Sequence, residues 1–325
     1  MQVTLKVKRF DPETGAPPAF AEYSIDVPEH ATVLDSLLQV RDYEDGSLAL
    51  RCSCRSAICG SCSMRINGRA RLACKTKVID MARDGEPVVV EPMGNMPVIK
   101  DLVVDMESFW SKIRQIKPWL QPVGPRPERE YLVSHEAMMD LSKVMNCILC
   151  GACVSDCTVL EVDKSFIAPA ALAKAYRFVG DPRDGMQLER LREYSQYGGI
   201  WDCTRCNMCV EVCPKGVAPM DRIMQMRAMA IEAGLRNTTG ARHTLAFTES
   251  VEETGRLNEA LLVPRSLGFF NIPALLREAP TALRFLRRGK LPLRQLIPPL
   301  ERAIPGIRQV RRIFQKYEAH AKTEV

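Results

Sequence analysis

CILCGACVSDC at residues 147–157 returns as CTRCNMCVEVC at residues 203–213. Both runs spell C-x2-C-x2-C-x3-C, and only the second is followed at once by a proline, Pro214. The chain holds 13 cysteines in 325 residues, and they fall into three groups: five between Cys52 and Cys74, then four in each run. Disulfide frameworks belong to short secreted chains. This chain is long, and its opening stretch MQVTLKVKRF has neither the apolar core of a signal peptide nor a twin-arginine pair. Cysteines packed two or three residues apart therefore point to metal or cluster ligation.

The first group has its own spacing. Cys54-x4-Cys59-x2-Cys62-x11-Cys74 is the plant-type ferredoxin pattern, in which four thiolates hold a [2Fe-2S] cluster. Zinc sites more often pair two C-x2-C units, so the x4 gap favours the cluster. Cys52 is left as a free thiol nearby. Val3, Leu5 and Val7 alternate with polar residues as a half-buried strand does, and AEYSIDV at 21–27 reads as the returning strand. Thr32, with Asp35 three residues on, is placed to cap a helix through VLDSLLQV. These parts predict a β-grasp ferredoxin domain over residues 1–97. VIKDLVVDMESFWSKI at 98–113 is expected to leave it as a helix, followed by the proline-rich PWLQPVGPRPERE, so 98–130 forms a linker.

In bacterial ferredoxins each C-x2-C-x2-C-x3-C run gives three cysteines to one cluster and its fourth to the other. Applied to this chain, Cys147, Cys150, Cys153 and Cys213 hold a [4Fe-4S] cluster, and Cys157, Cys203, Cys206 and Cys209 hold a third. The stretch SFIAPAALAKAYRFVGDPRD is a helix and polar turn that space the runs. Residues 131–235 are thus an all-α, bacterial-ferredoxin-like domain that depends on its metal to fold, and the fold class is α+β with a helical extension at 236–325. No nucleotide loop and no acid–base pair accompany the clusters. His30, His135, His243 and His320 are scattered, as surface or capping histidines are. The chain is read as a carrier of single electrons.

Composition bounds the partners. At 46% hydrophobic and 26% charged, the chain is an ordinary globular protein, and its longest uncharged stretch, Val144 to Ser155, spans 12 residues, too few to cross a bilayer. From Arg265 to Val325 there are 13 Lys or Arg against 4 Asp or Glu, a net of +9, while the whole chain is +6, so residues 1–264 sum to −3. Segments such as LREAPTALRFLRRGKLPLRQL and RAIPGIRQVRRIFQKY mix apolar and basic residues at near-helical spacing. They suit anionic lipid, an acidic partner or a solvated face alike. No nucleic-acid-binding module is present. Membrane contact is expected to be indirect or through this basic tail.

The order of the motifs resembles the iron-sulfur subunit of succinate dehydrogenases and fumarate reductases. SCR-x3-CG-x-C at Cys54 to Cys62, LACKT at 72–76, KDLVVDM at 100–106, CILCGAC at 147–153, FIAPAALAKAYRF at 166–178 and CPKG at 213–216 carry it, across about residues 1–235. The resemblance implies an FAD-containing flavoprotein partner, a membrane anchor that handles quinone, and electrons passing from flavin to the [2Fe-2S] cluster and then to the other two. It implies a place on the cytoplasmic face of the cytoplasmic membrane, with export beside a signal-bearing partner left open. Most of the family has three cysteines for the last cluster and a [3Fe-4S] centre. Here Cys206 supplies a fourth, so [4Fe-4S] is expected, with Cys206 as a mere spectator the alternative. An aromatic residue after the fourth cysteine and a histidine after the first cysteine of the second run, which help to form the family's quinone pocket, are replaced within TVLEVD and by Thr204. RHTLAFTESVEETGRLNEALL at 242–262 resembles the helical tail of heterodisulfide reductase small subunits, which docks on cysteine-rich CCG partners. The chain looks closest to the less common group with such a partner in place of a haem-bearing anchor. A subunit of another flavin-linked dehydrogenase, or of a heterodisulfide-reductase-like complex, is the alternative.

Overall fold

A computed structural model describes residues 1–82, 85–290 and 303–323, which form two compact units, Met1–Met229 and Ala230–Val325. In the first, β1 (Gln2–Arg9) pairs antiparallel with β2 (Ala19–Asp26). Val3, Leu5 and Val7 face inward as their alternation requires. Helix α1 (Val33–Gln39) follows, and its cap is reciprocal: Thr32 Oγ1 accepts the Asp35 N–H at 3.2 Å and Asp35 Oδ2 accepts the Thr32 N–H at 2.9 Å. A π-helical turn at Val40–Glu44 continues it. Strands β3 (Ser63–Ile66) and β4 (Arg69–Leu72) are joined by Asn67 and Gly68, both at positive φ as the tightest hairpin turn demands. After the short α2 (Val78–Met81), β5 (Val88–Glu91) enters parallel to β1 and completes a sheet of order β2-β1-β5-β3-β4. Leu34 and Leu37 of α1 close its buried face with Leu5, Ile66 and Val90. This is the β-grasp arrangement expected, and Cys52 packs against its core.

The segment from residue 98 corrects its reading. Instead of one helix, β6 (Val98–Lys100) and β7 (Val103–Val104) form a small hairpin, and helix begins only at α3 (Glu107–Gln115). Asp101, at φ 47°, makes the turn. Its buried carboxylate accepts N–H groups of Phe10 and Ala49, both at 2.9 Å, and Arg9 Nε at 3.0 Å. β-Branched valines on either side favour the pleat over the helix, and these bonds outweigh helical spacing in the run. The prolines beyond α3 do run without regular structure, yet Gln121 is bonded to Asp184 and Gly185, and Arg190 donates to the carbonyls of Ile116, Lys117 and Trp119.

The remainder of this unit is helical: α4 (His135–Met145), α5 (Ala152–Ser155), α6 (Thr158–Val162), α7 (Pro169–Val179), α8 (Gln187–Tyr194), α9 (Met208–Glu211) and α10 (Pro219–Glu232), which runs to the unit's end. Asn95 ties it to the sheet. Its Nδ2 donates to the carbonyls of Val154, Ser155 and Cys157 at 2.9–3.2 Å, along the turn from the end of α5 to the start of α6. The Ala70 N–H adds a bond to Asp156 Oδ2 at 2.8 Å.

In the second unit, α11 (Thr239–Thr254) is capped by Thr238 and ends on Gly255 at φ 76°, and α12 (Glu259–Leu267) is capped by Asn258. Ser250 Oγ fixes the corner, accepting the Asn258 N–H at 2.7 Å and donating to the Arg256 carbonyl at 2.9 Å. Helix α13 (Ile272–Arg287) follows, and α14 (Ile307–Thr323) closes the unit, with Arg311 donating to the carbonyls of Glu252 and Glu253 at the end of α11. The expected apolar-basic pattern over 291–302 lies outside the described residues. Among those described, no helix is long and apolar enough to cross a membrane.

Removing the Asp101 carboxylate leaves the half-buried N–H groups of Phe10 and Ala49 without an acceptor, while Arg9 keeps Asp45, Tyr23 and Ser47, a loss of about 2–4 kcal/mol. Asp101→Ala is expected to lower the thermal midpoint by several degrees with iron content unchanged, and Asp101→Asn to recover part of it, both read by scanning calorimetry.

Candidate metal centres

Cys54, Cys59 and Cys62 stand on a loop that cannot be regular, because Arg55, Ala57 and Gly60 all adopt positive φ. Those turns aim backbone donors at sulfur. The N–H groups of Ser56, Ile58 and Cys59 reach Cys54 Sγ at 3.3–3.4 Å, and the Ala57 N–H reaches Cys74 Sγ at 3.3 Å. Ser61 Oγ lies 3.0 Å from Cys59 Sγ. That hydroxyl and the backbone N–H groups pull the Cys59 thiol down to about 6, while burial pushes Cys62 up to about 12. A ring of N–H dipoles around four sulfurs suits negative charge spread over a thiolate-bound cluster.

Cys147, Cys150, Cys153 and Cys213 line one cavity, whose remaining wall includes Leu149, Ala170, Ala173, Val217 and Pro219. Burial pushes Cys150 up to about 11 and Cys153 well above the ordinary thiol range. The Val217 N–H donates to Cys213 Sγ at 3.3 Å. This cavity abuts the first loop: a Cβ on Gly60 would stand 2.6 Å from Cys150 Cβ, and Gly60 is at φ 74°, so only glycine lets the two loops touch.

Cys157, Cys203, Cys206 and Cys209 form the third group. Burial raises Cys157 and pushes Cys209 up to about 12, and both feel the charges of Cys203 and Cys206. Cys206 is exposed and behaves differently. Burial acts against its ionisation, but the hydroxyls of Thr158 and Thr204 and the Met208 N–H carry it below the usual value. The Thr158 hydroxyl donates to Cys206 Sγ at 3.5 Å. Behind the group lies buried Arg227, which donates to the carbonyls of Ile200, Trp201 and Cys203 at 2.7–3.0 Å, its guanidinium 5.4 Å from the Trp201 ring centre.

The two runs share one backbone conformation. Leu149 and Gly151 flank Cys150 at φ 56° and 79°; Arg205 and Asn207 flank Cys206 at φ 60° and 67°. Gly151 and Asn207 then cap α5 and α9, each four residues long. Among the described residues, no three His, Cys, Asp or Glu side chains are grouped to hold a single metal ion. A cluster needs instead four sulfurs around a common space, and three such thiol sets with N–H groups turned toward sulfur fit it.

The description "2Fe-2S iron-sulfur cluster binding domain" matches residues 4–111, and "4Fe-4S dicluster domain" matches residues 143–217. The fumarate reductase iron-sulfur subunit of Mycobacterium tuberculosis (strain CDC 1551 / Oshkosh) is 38% identical over 240 residues, 72% of this chain and 95% of the relative. The chain belongs to the family of succinate dehydrogenase/fumarate reductase iron-sulfur subunits. In the same family, the 8-methylmenaquinol:fumarate reductase iron-sulfur subunit of Wolinella succinogenes is 34% identical over 269 residues, 81% of this chain and 83% of that one. A chain of the Mycobacterium smegmatis Sdh1 complex in the apo form superposes with a TM-score of 0.66 at 29% identity, covering 71% of this chain and 96% of its own. As a family member the chain is an electron-transfer subunit of an oxidoreductase complex, and [2Fe-2S] and [4Fe-4S] centres with a third cluster belong to it. Sequence reasoning had no signal for Asn95 or for the Arg227 bonds, which join positions far apart in the chain. Thr158 was not singled out either: the sequence showed only that TVLEVD lacks the family's aromatic residue.

Gly60→Ala adds both a clash and backbone strain on the order of 1–3 kcal/mol at the contact of two centres. It is expected to lower the iron and acid-labile sulfide bound per chain clearly below wild type, and the same content in both proteins would show that the contact is not needed to hold the clusters.

Proposed function

We propose that this chain carries electrons between an FAD-containing succinate/fumarate flavoprotein and a cysteine-rich, CCG-type subunit at the membrane, and that its third centre is [4Fe-4S]. Residues to about 97 hold the first cluster on Cys54, Cys59, Cys62 and Cys74. After the linker to 130, residues to about 235 hold the second on Cys147, Cys150, Cys153 and Cys213 and the third on Cys157, Cys203, Cys206 and Cys209. Residues 236–325 are the extension for partner docking. The clusters, when bound, supply one-electron redox chemistry. The chain's own residues bring the centres together through the Gly60 contact, enclose the second in apolar wall, and set charge and hydroxyl donors around the third.

The observation that carries the fourth ligand is the repeated conformation: Cys206 occupies in its run the place that Cys150 has in the first, between the same two left-handed residues. A spectator would not need strain on both sides. The cysteine-rich partner is supported by the replacement of the family's aromatic within TVLEVD and of its histidine by Thr204, by the additional helical unit, and by a match with the Wolinella relative that runs to 269 residues against 240. Exposed Thr204, Arg205, Cys206 and Asn207 give that partner a rim to cover.

The test is low-temperature EPR on the anaerobically purified complex. Oxidised wild type is expected to be silent and Cys206→Ala to gain the paramagnetic three-iron signal. A full three-iron signal already present in unexposed wild type would make Cys206 a spectator.

A further inference from the structure

Helix α13 turns two faces outward from its axis. Glu278, Leu275, Ala282 and Phe285 line a groove shared with Ala260, Val263 and Pro264 of α12. The other face is apolar and bare. Ile272, Leu276, Leu283 and Leu286 recur at helical spacing and are exposed, Leu276 by 66% and Leu283 by 47%. Phe269 and Phe270 stand just before the helix, Phe270 98% exposed. Asn271 caps the helix by accepting the Ala274 N–H, so the aromatic pair is held at a fixed end.

Charge separates the two faces. Arg277, Arg284, Arg287 and Arg288 follow one another along one edge of the bare stripe and are exposed, while Lys290, beyond the helix, lines the groove. The single carboxylate of the helix, Glu278, lies on the groove side. An apolar stripe meant for a protein core would not keep this edge. A row of arginines whose stems run beside exposed leucines is the form of a helix that lies in a lipid interface, apolar face down and cations at the headgroups.

We propose that α13, with Phe269 and Phe270, docks this chain on an anionic bilayer surface. The inference deepens the membrane side of the function proposed above and rests on that reading only for its biological setting. The occupant is lipid and not an acidic protein surface because charge complementarity alone would leave the leucines and Phe270 in water. Apolar insertion and headgroup attraction together use every exposed residue of the stripe.

The test takes the full chain with its clusters and sediments it with vesicles of phosphatidylcholine, alone or doped with phosphatidylglycerol. Binding to the anionic vesicles is expected, with little to the neutral ones, and added salt weakens it. L276D/L283D is expected to lose it by about tenfold or more, and R284Q/R287Q/R288Q to weaken it by about tenfold, with cluster absorption unchanged in each. Three results overturn the proposal: no binding to anionic vesicles, undiminished binding by L276D/L283D, or a stripe variant that binds vesicles normally but no longer assembles with its partner subunits. Cluster content is read on the same samples. A chain that binds vesicles but holds no clusters would sink the electron-transfer reading and leave this one standing.

Discussion

A thiolate in an apolar wall is unstable unless positive charge stands beside it, and this constraint organises the first unit. Burial pushes Cys62, Cys150, Cys153, Cys157 and Cys209 toward the protonated form. Iron reverses the preference, because a metal takes the place of the proton and repays the burial. The sheet has a hydrophobic core of its own, whereas the short helices beside the two cysteine runs have little besides the thiols to close around. Helices α5 and α9 have four residues each, far below the length at which a helix is stable alone. Their caps at Gly151 and Asn207 directly follow Cys150 and Cys206, so the backbone that starts each helix is set beside a thiol.

Strain in the loops follows from the same demand. Leu149 and Arg205 hold left-handed conformations that cost roughly 1 kcal/mol or more each. The pattern extends beyond the cysteines: Ala168 and Ala218, each just before a proline at the start of α7 or α10, are also at positive φ. The helical region is disfavoured before proline, so alanine there turns the chain sharply into the next helix, after α6 in the first case and five residues past Cys213 in the second. Two such corners, one after each run, give the helical part an internal repeat of backbone as well as of sequence.

Much of this was legible because ligand spacing is local. Three thiolates must wrap one cluster, so the gaps within Cys54 to Cys62 or Cys147 to Cys153 report the metal before any fold is known. The alternation of Val3, Leu5 and Val7 and the Thr32–Asp35 cap are local in the same sense. Residues 98–106 were misread because their helical spacing competed with bonds from Asp101 to Phe10 and Ala49, partners 91 and 52 positions away. Asn95, which binds three carbonyls of another element, and Arg190, which binds the linker, escape for the same reason: their partners are defined only after the chain has closed.

The three thiol sets also differ in how they meet solvent, through their neighbours and, at Cys59 and Cys206, through exposed thiols themselves. The second lies within apolar wall and against the Gly60 loop, so its surroundings are supplied almost wholly by this chain. The third is backed by buried Arg227 but opens through Thr204, Arg205, Cys206 and Asn207. Solvent access and hydrogen bonds to sulfur both set the potential of an iron-sulfur centre. Thr158, in the first turn of α6, supplies one such bond, so a hydroxyl beside Cys157 helps to set the charge at exposed Cys206.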